Sequence, residues 1–256
     1  MMTLRHFDQL SAGGAQDKLK TSEAFAVQRS QERYYADHDW LKTHHSFSFA
    51  DYFDPNNVQW GALRVFNDDR IAPAQGFPPH PHRDMEILTY VLWGELEHQD
   101  SIGNRGVVRA GGVQFMSAGT GVRHSEFNHS KTDELHLVQM WVLPGKSGSS
   151  PSYGQKDFTM EARRNHWLVV ASGQESMQAP IALTQDATLR VARLEDSSLE
   201  HEFAPKRYGF LFVAHGDSLV VNGEKLAEGD AVRSYDIAKL DISGSGEIVF
   251  WDLPAA

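Results

Sequence analysis

From residue 45 onward, the chain alternates short apolar runs with clusters of turn-forming residues. The runs are rich in Val, Leu, Tyr, Trp and Phe, and clear examples are ALRVF at 62–66, ILTYVLW at 87–93, VQFMSA at 113–118 and LHLVQMWVL at 135–143. Turn-forming stretches such as IGNRG at 102–106 separate them. Many short strands with frequent turns are typical of an all-β sandwich or barrel.

The segment PGKSGSSPSY at 144–153 interrupts this pattern with two Pro, two Gly and four Ser. Such a composition is typical of a linker. Strand-like runs return after it, including TLRVARL, YGFLFVA and EIVFWDL, and Asn222-Gly223 predicts a tight hairpin because both residues tolerate positive φ. We therefore predict a first β-domain over 31–143, a linker over 144–153 and a second β-domain over 154–256.

The beginning of the chain has a different texture. Residues 17–35 contain no Gly or Pro and show loose helical spacing of a few apolar side chains. They predict a short helix or an irregular arm. We assign residues 1–30 to an N-terminal arm of uncertain structure.

Composition and charge exclude several classes of protein. The 256 residues are 41% hydrophobic and 23% charged, as in an ordinary globular protein, and the formal net charge is −10. Without a basic run, such a chain lacks the electrostatic footprint for a nucleic-acid backbone or an anionic membrane surface. No apolar stretch reaches the roughly 18 residues of a membrane span, and no signal-peptide core is present. The expected location is the cytoplasm.

The chain contains no cysteine but 13 histidines. The absence of cysteine excludes disulfides, thiolate metal sites and cysteine nucleophiles. A transition metal, if bound, would therefore be held by imidazoles and carboxylates.

Two segments carry candidate metal ligands. His80 and His82 are two residues apart, so in a β-strand their side chains project from the same face. Glu86 is also an even number of residues away and shares that face if the strand stays regular. His124 and Glu126 form a second i, i+2 pair. If a barrel brings both segments together around one interior, three imidazoles and a carboxylate suit a six-coordinate divalent transition metal with open positions.

The order of these residues is similar to the two sequence motifs of the cupin superfamily, with Gly76, His80, His82, Glu86 and Gly94 in the first motif and Gly112, Gly121 and His124 in the second. The first motif is two residues shorter than usual between Gly76 and His80, and Gly119 stands where the second motif usually has proline. These departures fit the pirin family. The strings THHSFSFADYFDP, GFPPHPHRDMEILTYVLWGELEHQDSIGN and MSAGTGVRHSEFN resemble its bacterial quercetin 2,3-dioxygenase-like members. The resemblance runs from about Tyr34 to the C-terminus and is strongest through Leu143.

The resemblance implies a bicupin, that is, two β-barrels (double-stranded β-helices) packed face to face, with metal only in the N-terminal barrel. It implies His80, His82, His124 and Glu126 as the ligands. A general cupin pattern would instead use Glu86 as the carboxylate ligand, and this alternative stays open. Glu126 and Glu86 are both candidate catalytic residues.

The same resemblance implies a metal-dependent dioxygenase, similar to quercetin 2,3-dioxygenase, that cleaves a flavonol-type substrate with O₂ and releases carbon monoxide and a depside. The flavonol 3-hydroxyl would bind near the metal, and Glu126 or Glu86 would accept its proton. The expected partners are a small aromatic substrate and O₂. The expected cofactor is one divalent transition metal ion, Fe(II) in the first place, with Ni, Co, Mn, Cu or Zn as alternatives.

A second hypothesis is a non-enzymatic, pirin-like metal- or redox-sensing co-regulator that acts by protein–protein contacts. A third is a structural bicupin in which the metal only braces the fold. A monomer is the simplest expectation, since two packed domains already cover each other's faces.

Several other residues have two interpretations. His44 and His45 line the pocket or belong to the packed interior, and Phe77, Phe115 and Met116 form an aromatic pocket wall or plain core. We expect His98, at the end of a strand, to lie at the surface. His136 is a candidate for an indirect role at the metal site. The single histidines of the second half are expected to be structural or exposed: His166, His201 and His215.

Overall fold

The structure of the protein, a computed structural model, describes residues 24–256 apart from the side chain of residue 217. The regular structure of these residues is almost entirely β, with three single-turn 3₁₀ helices and no α-helix among them. The all-β prediction is therefore confirmed. In this part of the chain, no helix is long and apolar enough to cross a membrane.

The strands are, in chain order, β1 (Phe25–Gln28), β2 (Tyr34–Asp37), β3 (Leu41–His45), β4 (Leu63–Ile71), β5 (Gly76–His82), β6 (Glu86–Trp93), β7 (Glu95–Asp100), β8 (Arg105–Arg109), β9 (Val113–Ser117), β10 (Val122–Asn128), β11 (Leu135–Val142), β12 (Ser152–Lys156), β13 (Leu168–Ser172), β14 (Ile181–Ala182), β15 (Thr188–Glu202), β16 (Tyr208–Val221), β17 (Glu224–Leu226), β18 (Ala231–Tyr235) and β19 (Lys239–Leu253). The 3₁₀ helices are Ser30–Glu32, Glu161–Arg163 and Glu175–Met177.

Strands β2 to β12 form the N-terminal domain as two facing antiparallel sheets. The larger sheet has seven strands in the order β12-β9-β6-β11-β4-β3-β2, and the smaller has four in the order β5-β10-β7-β8. Apolar side chains of both sheets pack together, as Leu96 and Val108 of the smaller sheet do with Leu41 and Ile71 of the larger. The domain is thus a β-sandwich whose interior lies between the sheets.

The C-terminal domain contains one sheet in the order β1-β18-β16-β19-β15-β13-β14, with β17 paired to β16. Register shifts interrupt its long strands, for example between Leu194 and Ser197 of β15, and such bulges bend a strand. In both domains the described sheets are open and do not close into barrels by hydrogen bonding. The predicted architecture of two β-domains in tandem is therefore confirmed, although hydrogen bonding does not close the described sheets of either domain into a complete barrel.

Two strands lie in segments that the sequence assigns to an arm and to a linker. Strand β1, in the predicted N-terminal arm, pairs with β18 of the C-terminal sheet, and its Phe25 and Val27 pack against that domain's core. Strand β12 begins inside the predicted linker and pairs with β9. From Ala24 on, strand and 3₁₀ structure replace the predicted helix or irregular arm, because sheet pairing overrides weak helical spacing. Residues 1–23 of the predicted arm lie outside the described residues.

The two domains share one apolar core. A single cluster of buried side chains includes Phe66 and Tyr90 from the N-terminal domain and Phe210 and Trp251 from the C-terminal domain. Polar contacts cross the same boundary, since the indole nitrogen of Trp60 donates to the backbone oxygen of Gly209 at 3.0 Å. The domains are therefore packed directly against each other.

Candidate metal centre

Strands β5 and β10 lie side by side in the smaller sheet and carry the predicted ligands. In the antiparallel register His80 lies directly opposite His124, and His82 projects from the same face of β5 as His80. Strand β5 is an edge strand, which suits its three prolines because a proline has no N–H to donate to a neighbouring strand. Gly76 lets β5 approach β10 closely, since a Cβ there would lie 2.2 Å from the backbone oxygen of Glu126.

The imidazoles of His80, His82 and His124 converge. One ring nitrogen from each lies within 4.8 Å of the others. The Nε2 atom of His124 is buried and has no hydrogen-bond partner among the described residues. Burial, reinforced by the neighbouring histidines, lowers the pKa of both His82 and His124 to about 2, so both rings are neutral and offer a lone pair. Neutral imidazoles and an orphaned nitrogen fit a divalent transition metal.

Glu126 belongs to an adjoining group, in which His98, His124 and Glu126 also place their ligand atoms within 4.8 Å of one another. Its two carboxylate oxygens accept hydrogen bonds from the side-chain amides of Gln114, at 2.6 Å, and Gln139, at 2.8 Å. A carboxylate oxygen has two acceptor sites. Each oxygen of Glu126 therefore keeps one for a metal or a proton, while the two glutamines fix its position.

His98 is part of the site, although the sequence predicts it at the surface; that prediction is wrong. The residue is 1% exposed, and its ring stacks on Tyr153 with the centroids 4.2 Å apart. Its Nε2 lies 3.3 Å from a carboxylate oxygen of Asp100, and its Nδ1 lies 3.4 Å from Nδ1 of His124. With Nε2–H of His98 donating to Asp100, Nδ1 of His98 accepts the Nδ1–H of His124. This order leaves Nε2 of His124 free to act as a ligand.

Glu86 lies elsewhere. Its carboxylate is fully buried and accepts the backbone N–H groups of Thr184, at 2.7 Å, and Gln185, at 3.3 Å, both in the C-terminal domain. Burial raises its pKa against the opposing effect of these hydrogen bonds. Glu86 is thus a contact between the domains, and the structure does not bring it to the histidine cluster.

A cavity of about 380 Å³ opens beside the cluster, and His80, His82 and Glu126 line it. Its walls are mainly apolar and aromatic, with Phe77 and Trp141 close to the histidines. This volume is within the range of small-molecule sites. The cavity is therefore large enough for a small organic molecule beside the cluster.

The structure separates the residues that the sequence left with two interpretations. Phe77 lines the cavity, whereas Phe115 and Met116 belong to the packed core. His45 lines the cavity, and the adjacent His44 projects from the other face of β3, as alternation along a strand requires.

The remaining histidines of residues 24–256 lie outside the two convergent ligand groups. His136 is 2.7 Å from a carboxylate oxygen of Asp68. The histidines of the C-terminal domain each have a polar partner that is not a metal-ligand group of the cluster: His166 with the backbone oxygen of Arg164, His201 with Asp252 and His215 with Glu228. Among the described residues, both convergent ligand groups lie in the N-terminal domain.

Two cupin-type β-domains in tandem, with a histidine cluster and an aromatic cavity in the first, define the class of the protein as a bicupin. The model of the family described as Pirin matches residues 26–142, and the model described as Quercetinase C-terminal cupin domain matches residues 174–250. The chain belongs to the pirin family.

Individual relatives extend over nearly the whole chain. The quercetin 2,3-dioxygenase of Escherichia coli is 43% identical over 231 residues, which cover 89% of this chain and 98% of the relative. A pirin-like protein of Caulobacter vibrioides is 43% identical over 220 residues, covering 85% and 94%. The solved structure of the Escherichia coli bacterial pirin YhhW in complex with nickel(II) aligns with a TM-score of 0.84 at 41% identity, covering 91% of this chain and all of that one.

Proposed function

We propose that this protein is a metal-dependent dioxygenase that cleaves a flavonol-type substrate with O₂, the activity named for its Escherichia coli relative. The observation that supports the proposal is that His80, His82 and Glu126 line a cavity whose other walls are mainly aromatic and apolar. A flat substrate held by the walls presents one edge to these groups and covers the half-buried His80 and His82 from bulk water.

The residues proposed to hold the metal are His80, His82, His124 and Glu126. Three imidazoles and a carboxylate suit several divalent ions of the first transition row, and the nickel(II) complex of YhhW supports a divalent ion in this family. Fe(II) is our first candidate for this chain, with nickel next. A bound ion of this kind supplies Lewis acidity, which lowers the pKa of a hydroxyl in its coordination shell, and an open position for chemistry with O₂.

The protein's own residues bind the substrate and accept its proton. Phe77 and Trp141 orient the flavonol ring, and Glu126, held by Gln114 and Gln139, accepts the proton when the O–H bond of the 3-hydroxyl breaks. The resulting flavonolate is electron-rich and reacts with O₂. Both oxygen atoms enter the product, the heterocyclic ring opens and carbon monoxide leaves.

The test is quercetin loss by absorbance, with O₂ uptake and carbon monoxide release measured in parallel. Metal-free protein is reconstituted separately with Fe(II), Ni, Co, Mn, Cu and Zn. We expect turnover with one or more ions and one O₂ consumed per quercetin. The Glu126→Gln variant is expected to keep the metal on its histidines and to lose turnover, since an amide does not accept the proton.

Glu97→Gln is the matched control, because Glu97 lies next to His98 in β7 but is exposed and pairs with His129. Loss of turnover in this control would point to a general defect of the sheet. Stoichiometric metal binding without turnover by any ion would overturn the dioxygenase proposal. A metal-sensing co-regulator would then be the better description of the protein.

A further inference from the structure

One register level of the seven-stranded sheet carries a polar residue on every strand. We call this level the polar row, and its members are Tyr34, His45, Asn67, Gln139, Thr89, Gln114 and Gln155. Gln114 and Gln139 have a clear purpose, since both donate to Glu126. The part of the row on β3 and β4 is not explained by contacts to the metal cluster.

In and beside that part of the row, three side chains each have one buried polar atom without a hydrogen-bond partner among the described residues. His45 and Asn67 are cross-strand neighbours, and Asp69 lies two residues beyond Asn67 on the same face of β4. All three are more than nine-tenths buried. Nδ1 of His45, Oδ1 of Asn67 and Oδ1 of Asp69 have no hydrogen-bond partner among the described residues. A buried polar atom left unpaired lowers the stability of the folded protein by roughly 1–3 kcal/mol. Three such atoms close together therefore indicate a site that binds a polar ligand.

These side chains face the same cavity as the metal cluster. His45, Asn67 and Asp69 line it together with His80 and His82. Asn67 is one strand away from Gln139, the glutamine that holds Glu126, and His45 is two strands away. Since neighbouring strands are about 4.8 Å apart, these residues lie about 5–10 Å across the sheet from Gln139. A flavonol bound at the cluster extends over such a distance.

We propose that His45, Asn67 and Asp69 form a hydroxyl-recognition patch, which binds phenolic hydroxyls on the part of the substrate remote from the metal. This inference rests on the proposed function. A phenolic O–H donates to the unpaired carboxyl oxygen of Asp69 or to the amide oxygen of Asn67, and its own oxygen accepts from a ring N–H of His45. The substrate is then selected as a polyhydroxylated flavonol.

The site would distinguish hydroxylated from non-hydroxylated flavonols because the buried polar groups of His45, Asn67 and Asp69 stay unpaired when the ligand has no hydroxyl to offer them. A site built to bind a hydroxyl rejects an analogue that lacks it, because its own buried polar groups then stay without partners. The apolar walls bind both kinds of flavonol alike. The patch therefore acts on specificity and leaves the chemistry at the cluster unchanged.

The experiment compares quercetin with 3-hydroxyflavone, which keeps the 3-hydroxyl and lacks every other hydroxyl. The Kd of each is measured by fluorescence quenching, and kcat/KM by absorbance, for the metal-loaded wild type and the Asn67→Leu and Asp69→Leu variants. We expect the wild type to prefer quercetin by about 10-fold or more in Kd, the size of one or two hydrogen bonds. Each variant should lose most of that preference and keep its affinity for 3-hydroxyflavone.

The outcomes separate this inference from the proposed function. Equal affinity of the wild type for both flavonols overturns the patch, because the groups then bind only water. An equal loss of affinity for both flavonols in the variants also overturns the hydroxyl-recognition patch, since such a loss reflects a change in the structure of the cavity. If no flavonol is turned over but the quercetin preference in Kd depends on Asn67 and Asp69, the proposed function fails and the patch stands. The near-isosteric Asp69→Leu, which removes both acceptor oxygens, keeps the test open if Asn67→Leu does not fold.

Discussion

The two domains share a mainly antiparallel β-architecture but fill their interiors differently. In the C-terminal domain, twelve buried apolar residues form one cluster, which includes Leu211, Leu240 and Phe250. In the N-terminal sandwich, the apolar interior is split into two smaller clusters. Along β11, for example, Leu137 belongs to one and Trp141 to the other, and Gln139 of the polar row lies between them.

The difference teaches how a site is made within this type of fold. The middle layer of the N-terminal core is replaced by polar side chains and a cavity, while apolar layers on either side keep the sheets together. Apolar burial stabilises by roughly 25 cal/mol per Å², so this layer contributes less to stability than its counterpart in the C-terminal domain. We infer that the C-terminal domain and the shared core stabilise the molecule on which the N-terminal site depends.

The largest effect is expected from removing a ligand. His82→Ala should abolish quercetin turnover and weaken metal binding by more than about 100-fold, since residues one shell further out already account for about 10–100-fold. Metal content after dialysis and quercetin loss are the measurements. His215→Ala in the C-terminal domain is the control, because His215 is exposed and pairs with Glu228. Stoichiometric metal in His82→Ala would contradict the assignment of the site.

The next effect tests the comparison of the two cores. Leu240→Ala in the continuous C-terminal cluster should lower the free energy of unfolding by about 2–5 kcal/mol, because it leaves a cavity. Thr89→Val in the polar row should change it by less than about 1 kcal/mol or raise it, because the buried hydroxyl of Thr89 has no partner among the described residues. Urea unfolding measures both. A loss in Thr89→Val as large as in Leu240→Ala would refute the idea that the middle layer contributes little.

Side chains alternate between the two faces of a strand, and this alternation is what allowed part of the site to be predicted from the sequence. Alternation with a period of two correctly placed His80 with His82 and His124 with Glu126, because each pair lies within one strand. It failed for Glu86, since the strand carrying His82 ends there and Glu86 begins a strand of the other sheet. Counting residues in steps of two predicts the face of a side chain only within one continuous strand.

His98 shows the opposite case, in which a signal was present but weak. In β7, Leu96, His98 and Asp100 are buried, and the residues between them are exposed. The same alternation is visible in the sequence ELEHQD, but a strand with one apolar residue reads as a surface strand. The inward direction is set by the facing sheet and by Tyr153, which lies 55 residues further along the chain. Contacts of that kind are not local, so no pattern in the sequence predicts them.

A smaller effect is expected from the residue behind the ligand. His98→Phe keeps a ring to stack on Tyr153 but removes both nitrogens, so Nδ1 of His124 loses its partner. Metal affinity should fall about 10–100-fold, as for other outer partners of a ligating histidine, with the melting temperature nearly unchanged. Competition with a chromophoric chelator measures the affinity. An unchanged affinity would show that His98 does not orient His124.

The smallest effect concerns two adjacent residues on opposite faces of β4. For Asp69, burial is the main cause of a pKa raised to about 7, which the hydroxyl of Thr43 partly opposes. For Asp68, burial also favours a higher pKa, but the hydrogen bond with His136 and the charge of Arg33 outweigh it and hold the pKa well below its usual range. The two carboxyls should therefore give stability contributions with opposite dependence on pH.

The sign follows from which state binds the proton. Folded Asp69 holds its proton more tightly than the unfolded chain does, so the stability of the wild type relative to Asp69→Asn should fall as pH rises from about 4 to about 7. Asp68 is the reverse, and the stability of the wild type relative to Asp68→Asn should fall as pH drops below about 4. Each of these stability differences changes by at most about 1.4 kcal/mol per pH unit. Urea unfolding of metal-free protein across pH 3–8, a range chosen to span both windows of about 4–7 and below about 4, measures both differences. Slopes of the same sign would mean that the cavity face and the ion-paired face of β4 are electrostatically alike.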